Sequence, residues 1–396
     1  MPASDVRFEN WRSRREQRLA RQGRLRSVTT PHGKRAWYAA DELLVADDLV
    51  GHAQDTLAAD GHDRSRVGED EVVGGVRRLK VAGLDAPGTV RRVRERLARL
   101  RPGSTTDEQT VGVNHVFLSA PIYQGGPFGP PVPAAAAALP GERPKPDHPP
   151  VVVIDTGLWS DSPIAAVCEE PSDRETATDV DGDGVLDGDV GHANFIAGVI
   201  LANTSRARVS VVKVLDTFGV CDEAQLAVAL LRLPADARIV NLSLGGFTVD
   251  DRPPVILRYA MRRALTGRDR VVVAAAGNDG NVVDPYWPAA FTGTGYAWSS
   301  QVAAVAAHDG DKLCEWSNTG PWVSLLAPGQ DVTSTYIHHD EFASGWATWS
   351  GTSFAAPVVA AAIAEELSVD GSATAALARV RARAGEAGPD HQIRLP

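Results

Sequence analysis

The sequence Gly351-Thr352-Ser353-Phe354-Ala355-Ala356-Pro357 stands directly before an apolar run, 358–367. The apolar run predicts a helix, and the small residues Ala355 and Ala356 would let its first turn pack closely against a sheet. Ser353 then lies at the helix N-terminus, where unpaired backbone N–H groups and the helix dipole favour a developing negative charge. Such a position suits a nucleophile, but it is also an ordinary place for a capping serine. This segment alone leaves both interpretations open.

Two other apolar runs predict buried parallel strands that end in polar residues. Residues 151–154 are followed by Asp155, and residues 270–276 are followed by Gly277 and Asn278. All-apolar runs of this kind are typical of strands covered on both faces, and sites in open α/β sheets are built at the carboxyl ends of such strands. Between the two runs, His192 stands in the first turn of a predicted helix. An acid, a histidine, an amide and a serine therefore all occur at strand ends or helix starts.

These four side chains form the set that acyl transfer by a serine requires. Serine becomes a good nucleophile when a base accepts its proton, so the imidazole of His192 has to lie within hydrogen-bonding reach of Ser353. The carboxylate of Asp155 would hold the imidazole in the required tautomer and stabilise the imidazolium. The amide of Asn278 could donate to the tetrahedral oxyanion, an interaction worth about 2.7–4 kcal/mol. The order Asp, His, Ser is one of three chain orders known for this triad.

With these motifs the sequence resembles the subtilisin-like serine peptidases (subtilases, peptidase family S8). The matching motifs are Val-Ile-Asp155-Thr-Gly, Gly-His192, Ala-Ala-Gly-Asn278 and Gly-Thr-Ser353-Phe-Ala-Ala-Pro, and the resemblance covers about residues 148–370. It implies an α/β fold with a mostly parallel sheet and helices on both faces. It also implies a serine endopeptidase with Asp155, His192 and Ser353 as its triad and Asn278 as its oxyanion donor.

Two segments look like the family's substrate groove. In the first, 243–245, an extended peptide would pair its backbone with the protein by β-augmentation. The second, 275–277, looks like the opposite wall of the S1 pocket, which holds the side chain of the substrate residue before the cleaved bond. The residues concerned are Ser243, Leu244, Gly245, Ala275, Ala276 and Gly277. The resemblance thus implies a protein or peptide substrate and no cofactor for the chemistry.

The chain departs from the family directly after its histidine. The family usually has Gly-Thr-His there, whereas this chain has Ala193-Asn194-Phe195. None of the three is a triad member, so we interpret the departure as a lineage variant. The alternative is a catalytically impaired pseudopeptidase that binds peptides in the groove without turnover.

An acidic stretch, 179–189, has the alternating acids and glycines of an EF-hand-like calcium loop. Its closing position holds Val190 where such a loop has a bidentate glutamate. A structural calcium ion and a solvated acidic turn therefore both remain open. The candidate ligands are Asp179, Asp181, Asp183 and Asp187.

Composition and charge limit the partners and the location that the sequence allows. The net charge of −10 over 396 residues argues against nucleic acid as the main partner. No run approaches the roughly 18 apolar residues of a membrane span, and the basic Ser13-Arg14-Arg15 segment lacks the apolar stretch of a signal peptide. We expect a soluble monomer, cytoplasmic rather than secreted. The three cysteines are expected to be buried thiols, although one disulfide is open.

The N-terminal part of the chain predicts a separate unit. We assign 1–40 to a basic extension, 41–120 to a small α+β ferredoxin-like module, 121–149 to a Pro/Gly/Ala-rich linker without regular structure and 150–396 to the peptidase domain. The module resembles the family's prodomain, which implies a folding helper and intramolecular inhibitor of a zymogen. An unrelated accessory domain is the alternative.

Overall fold

The computed structural model describes Gln17 and residues 24–100, 110–119, 130–138, 145–310, 312–367 and 371–386. The helices are α1 (Val50–Ala59), α2 (Ala86–Leu100), α3 (His192–Asn203), α4 (Glu223–Leu231), α5 (Val255–Leu265), α6 (Thr352–Glu366) and α7 (Ala373–Glu386). The strands of the N-terminal part are β1 (Leu25–Thr29), β2 (Arg35–Ala46), β3 (Gly68–Val73), β4 (Val76–Lys80), β5 (Val111–Ser119) and β6 (Val132–Pro133). The later strands are β7 (Pro150–Asp155), β8 (Leu158–Trp159), β9 (Arg174–Glu175), β10 (Arg208–Lys213), β11 (Val220–Asp222), β12 (Ile239–Leu242), β13 (Leu244–Gly245), β14 (Val271–Ala275), β15 (Val302–His308), β16 (Leu325–Pro328), β17 (Val332–Thr335) and β18 (Trp346–Trp349).

Six parallel strands form the central sheet, in the order β10-β7-β12-β14-β15-β16. Alternate side chains of β7 enter two different apolar clusters, because successive residues of a strand point to opposite faces. Val151 and Val153 join the cluster that includes α3, α6 and α7, and Val152 and Ile154 join the one that includes α4 and α5. The sheet is therefore covered on both faces, and the predicted α/β class is confirmed.

The N-terminal module is a smaller α+β unit. Its strands lie in the order β5-β2-β4-β3, with β1 added beside β2. Helices α1 and α2 pack on this sheet through Leu57, Val90 and Val93, which share a buried cluster with Leu43 and Val113. The succession β2-α1-β3-β4-α2-β5 is the βαββαβ arrangement of the ferredoxin-like fold.

The module's sheet begins earlier than the sequence indicates. Residues 25–29 and 35–40, assigned above to a basic extension, form β1 and the first half of β2. β1 escapes a pattern search because Arg26 and Ser27 interrupt its apolar residues, and β3 escapes it because its sequence is rich in acids. Charges are common on edge strands, which they protect from further pairing. The arginine-rich segment 11–15 lies outside the described residues.

The predicted linker is also not wholly irregular. Val132 and Pro133 form β6, which pairs antiparallel with Thr348 and Ala347 of β18. The N–H of Ala134 adds a 3.1 Å hydrogen bond to the carbonyl of Trp346. Proline is tolerated in β6 because this two-residue strand pairs on one side only. The strand β18, which ends just before Ser353, thus pairs with part of the predicted linker.

The described part of the chain also shows the state of the cysteines and whether a helix could span a membrane. Cys168, Cys221 and Cys314 are all buried free thiols, so the open disulfide is not formed. None of the described helices combines the length and apolar character that crossing a bilayer demands.

Candidate active site

The central sheet gathers the predicted site residues at one edge. Asp155 is the last residue of β7, Ser243 directly follows β12, and Asn278 comes three residues after β14. Because these neighbouring strands are parallel, their carboxyl ends meet at the same edge. α3 and α6, which begin with His192 and Thr352, cover one face of the sheet beside that edge.

Asp155 and His192 form a buried hydrogen-bonded pair. The imidazole Nδ1 lies 2.7 Å from Asp155 Oδ1, and both side chains are 0% exposed. Since an ionised carboxylate only accepts, Nδ1 carries the proton and Nε2 becomes the basic nitrogen. Thr156 fixes the pair, because its N–H donates to Asp155 Oδ1 (2.7 Å) and its Oγ1 accepts the N–H of Ala193 (3.0 Å).

Ser353 is not the capping residue of its helix. Gly351 holds the N-cap position of α6, so the capping interpretation left open by the sequence is wrong. The Ser353 hydroxyl donates to the carbonyl of Ser243 at 3.1 Å, and the Ser243 hydroxyl donates to the carbonyl of Ser353 at 2.7 Å. Pro357 explains the second bond, because it has no N–H to offer the carbonyl four residues earlier. Ser243 therefore replaces a helical hydrogen bond.

Aromatic rings place His192 beside the start of α6. The imidazole centroid lies 5.5 Å from that of Phe354, the residue after Ser353, and 5.6 Å from that of Trp349 in an edge-to-face contact. Phe195 lies 4.4 Å from Phe354 between ring centroids and completes the cluster. The contacts hold the ring of His192 within an apolar wall.

The departure after the histidine has a structural role. Asn194 accepts the N–H of Trp159 at 2.9 Å and donates to the carbonyl of Trp159 at 3.1 Å, which ties α3 to β8. Phe195 belongs to the aromatic cluster just described. Ala193 is fully buried, and its N–H donates to the hydroxyl of Thr156. All three residues support the His192 helix, and none disturbs its first turn.

The amide of Asn278 is oriented by a residue that the sequence reasoning missed. Thr352 donates its N–H (2.9 Å) and its hydroxyl (2.8 Å) to Asn278 Oδ1, and the N–H of Gly277 donates to the same hydroxyl at 3.1 Å. With Oδ1 committed to two donors, Nδ2 is the group that faces away from Thr352. The signal was present in the motif, since Thr352 stands directly before Ser353.

The predicted peptide-binding segment already pairs with a strand, and this strand belongs to the N-terminal module. In β13, Leu244 is opposite Ser119 and Gly245 is opposite Leu118 of β5, in antiparallel register. On its other side β5 pairs with β11, and the N–H of Ser119 donates to the carbonyl of Gly219 at 2.8 Å. The opposite wall, 275–277, is buried at the end of β14.

The acidic loop brings three of its four candidate ligands together. Among the described residues, carboxylate oxygens of Asp179, Asp181 and Asp187 lie within 4.8 Å of one another. Asp183 is outside this group, and its carboxylate accepts the N–H of Val185 at 2.9 Å. Backbone N–H groups, chiefly that of Gly184, hold the pKa of Asp179 below its usual range. Asp187 also accepts the hydroxyl of Thr217, which fixes the end of the loop.

The carboxyl edge of the parallel sheet thus holds a buried Asp–His pair and a serine. The family model of peptidase S8, described as the subtilase family, matches residues 147–382. The chain belongs to the subtilase family. The resemblance read from the four motifs is confirmed.

Individual relatives agree with the family. The chain is 36% identical over 186 residues to the minor extracellular protease Epr of Bacillus subtilis, a match covering 44% of this chain and 26% of Epr. It is 34% identical over 181 residues to the thermophilic serine proteinase of Bacillus sp. strain AK1, covering 43% and 40%. Against thermitase of Thermoactinomyces vulgaris it is 30% identical over 223 residues, covering 53% and 71%. The chain thus spans well under half the length of the first two relatives.

Solved structures show the same fold. A crystal structure of a lanthipeptide protease superimposes with a TM-score of 0.50 at 24% sequence identity. The match covers 61% of this chain and 81% of that protease. At this identity the likeness concerns the fold.

Proposed function

We propose that the protein is a serine endopeptidase that hydrolyses peptide bonds with Ser353 as nucleophile. The observation that carries the proposal is the buried 2.7 Å pair of Asp155 and His192, which leaves Nε2 as the basic nitrogen next to the helix that bears Ser353. A buried, oriented imidazole is what a serine needs to lose its proton at neutral pH. The groove strand β13, which begins directly after Ser243, the hydrogen-bond partner of Ser353, supplies the place for an extended peptide.

In the proposed reaction, the Ser353 hydroxyl turns from the Ser243 carbonyl toward His192 Nε2. Its oxygen attacks the scissile carbonyl while the proton passes to the imidazole, and Asp155 stabilises the imidazolium. Asn278 Nδ2 donates to the oxyanion of the tetrahedral intermediate. His192 then returns the proton to the leaving amine, and a water molecule hydrolyses the acyl-enzyme by the same steps.

The competing interpretation, a pseudopeptidase, finds less support. Burying an ionised carboxylate is costly unless the group has a partner or a function. A protein that only binds peptides gains nothing from such a carboxylate. Here Asp155 is fully buried, and its Oδ1 lies 2.7 Å from Nδ1 of the His192 imidazole. The residues that depart from the family pattern, Ala193 to Phe195, all stabilise the histidine helix.

We also propose that the N-terminal module is the intramolecular inhibitor of this enzyme. Its strand β5 occupies the groove between β11 and β13 as a bound peptide would, which is β-augmentation within one chain. Phe117 of β5 is fully buried in the apolar cluster that contains Leu215 and Leu244. His115 Nδ1 lies 2.8 Å from Glu223 at the start of α4. These contacts would keep the strand in place after its covalent link is cut.

Maturation would follow from the same geometry. The linker connects β5, which pairs with the groove strand β13, to β6, which pairs with the strand β18 just before Ser353, so the described residues on both sides of 120–129 lie next to segments that adjoin the nucleophile. We propose self-cleavage within 121–149, which would leave a mature chain that begins there. Exposed connecting segments tolerate such cuts because few contacts depend on them.

For the acidic loop we propose a structural calcium ion held by Asp179, Asp181 and Asp187. Oxygens within 4.8 Å of one another can share one Ca²⁺, whose ligands lie at 2.3–2.6 Å. The ion would offset the mutual repulsion of the three carboxylates. It would take no part in the chemistry.

Comparing the wild type with Ser353→Ala tests the enzyme and its maturation together. The variant should lose hydrolysis by on the order of 10⁶-fold, take no fluorophosphonate label and accumulate at full length. Wild-type protein should be labelled and should yield a shorter chain whose N-terminal sequence falls in 121–149. Ser372→Ala, which changes a serine at the start of α7, serves as the control and should behave as wild type. Hydrolysis that survives Ser353→Ala would refute the nucleophile.

A further inference from the structure

The two walls of the predicted S1 pocket have an aromatic ring between them. Gly245 belongs to one wall and Gly277 to the other, and both glycines face the phenol of Tyr286. A Cβ added to Gly245 would overlap Tyr286 Cε1 and stand 2.9 Å from Cδ1. A Cβ added to Gly277 would stand 3.0 Å from Cδ2 and from Cε2. The ring therefore spans the gap from one edge to the other.

The ring is held in this position from several sides. The next residue, Trp287, exchanges two 2.8 Å backbone hydrogen bonds with Gly246, which follows the groove strand directly. Phe247 contacts the ring edge-to-face at 5.3 Å between centroids. Tyr286 is 5% exposed and belongs to a buried apolar cluster. Moving the ring out would expose apolar surface and open a void beside Phe247, both of which are unfavourable.

We propose that Tyr286 closes the S1 pocket and restricts cleavage to peptide bonds that follow a small residue, such as alanine, glycine or serine. This inference rests on the proposed endopeptidase function and names its substrate class. A long or aromatic side chain would have to enter space that the ring fills, and overpacking of a rigid site is unfavourable. A methyl group needs no such space.

The sequence at the proposed cleavage region is consistent with this substrate class. That region begins at residue 121, and the residue before it in the sequence is Ala120. A cut at the start of the region would therefore follow an alanine.

The test measures kcat/KM of the wild-type chain on three peptide p-nitroanilides that end in Ala, Leu or Phe and are otherwise identical. We expect alanine to be preferred over phenylalanine by on the order of 10²-fold, since steric differences in a pocket discriminate by 10- to 200-fold. Tyr286→Ala should reduce that ratio at least about tenfold by raising the rate on the Phe and Leu substrates. Tyr286→Phe keeps the ring and should keep the ratio.

A fluorophosphonate probe, which needs an activated serine but no S1 side chain, separates the two proposals. Protein that takes the probe yet cleaves after Phe as readily as after Ala overturns the role of Tyr286 and leaves the endopeptidase intact. Protein that takes no probe and cleaves none of the substrates overturns the endopeptidase and this specificity with it. If Tyr286→Ala does not fold, Tyr286→Leu replaces it, and the wild-type ratio alone still decides the preference.

Discussion

The central sheet takes its strands from one part of the chain, whereas the sheet of the N-terminal module takes strands from two. Every strand of the central sheet lies within 150–328, and apolar clusters cover both of its faces. The second sheet joins two units, because β5 of the module is inserted between β11 and β13 of the peptidase domain. In our proposals the first sheet holds the chemistry, whereas the second controls access to it. Changes at the two sheets should therefore affect different measurements.

Among changes that leave Asp155, His192 and Ser353 in place, the largest effect expected from the catalytic edge is that of Asn278→Ala. Its kcat should fall by about 10²–10³-fold with little change in KM, because the amide acts on the oxyanion and not on the bound substrate. Asn203→Ala removes an asparagine at the end of α3, away from the site, and should leave both constants unchanged. A matching rise in KM would contradict the assignment of Asn278 as oxyanion donor.

The corresponding change in the second sheet is Phe117→Ala. The side chain is fully buried where β5 enters the peptidase domain, so its loss should weaken docking of the strand by about 2–4 kcal/mol, or roughly 30- to 1,000-fold. Measured as the rate of fluorophosphonate labelling while the module is still bound, access to Ser353 should rise. The exposed Leu100 of α2 offers the control Leu100→Ala.

Two outcomes would break the comparison between the sheets. If Phe117→Ala leaves the labelling rate unchanged, β5 does not limit access, and the module returns to the status of an accessory domain. If the variant slows hydrolysis by the processed enzyme, the module contributes to chemistry as well as access.

The smallest effect is expected at the acidic loop. A chelator should lower the melting temperature, because an ion bound only by the folded state stabilises that state, by about 2–4 °C for each kcal/mol of binding. Asp181→Ala should remove the sensitivity to chelator. Asp183→Ala is the matched control, since its carboxylate lies outside the cluster, and it should keep the sensitivity. A wild-type melting curve unchanged in chelator would make the loop a solvated acidic turn.

The parts of the fold that rest on local pattern could be predicted from the sequence. The apolar runs that become β7 and β14 and the polar residues that end them are local signals, and they place Asp155 and Asn278 correctly at the sheet edge. β1 and β3 were missed because their charged residues hide a strand that only its neighbours in the sheet define.

Contacts between distant segments were beyond the sequence. The bonds of Asn194 to Trp159 and of Thr352 to Asn278 join residues 35 and 74 positions apart, and no periodicity records such pairs. The separation of Asp183 from the other acids likewise depends on how the loop turns. Tyr286 gave no signal at all, because its position between Gly245 and Gly277 depends on how both segments fold.

The two hydrogen bonds between Ser243 and Ser353 have a mechanical consequence. They join the start of the peptide-binding strand to the start of the nucleophile's helix, and separating the two costs both bonds, about 1–3 kcal/mol in all. Only one of the bonds uses the reacting oxygen. When that oxygen turns to attack in the proposed reaction, the bond from the Ser243 hydroxyl to the Ser353 carbonyl does not have to break, so the strand and the helix stay joined. Because Pro357 has no N–H, the Ser353 carbonyl accepts this hydrogen bond from Ser243 and not one from within its own helix.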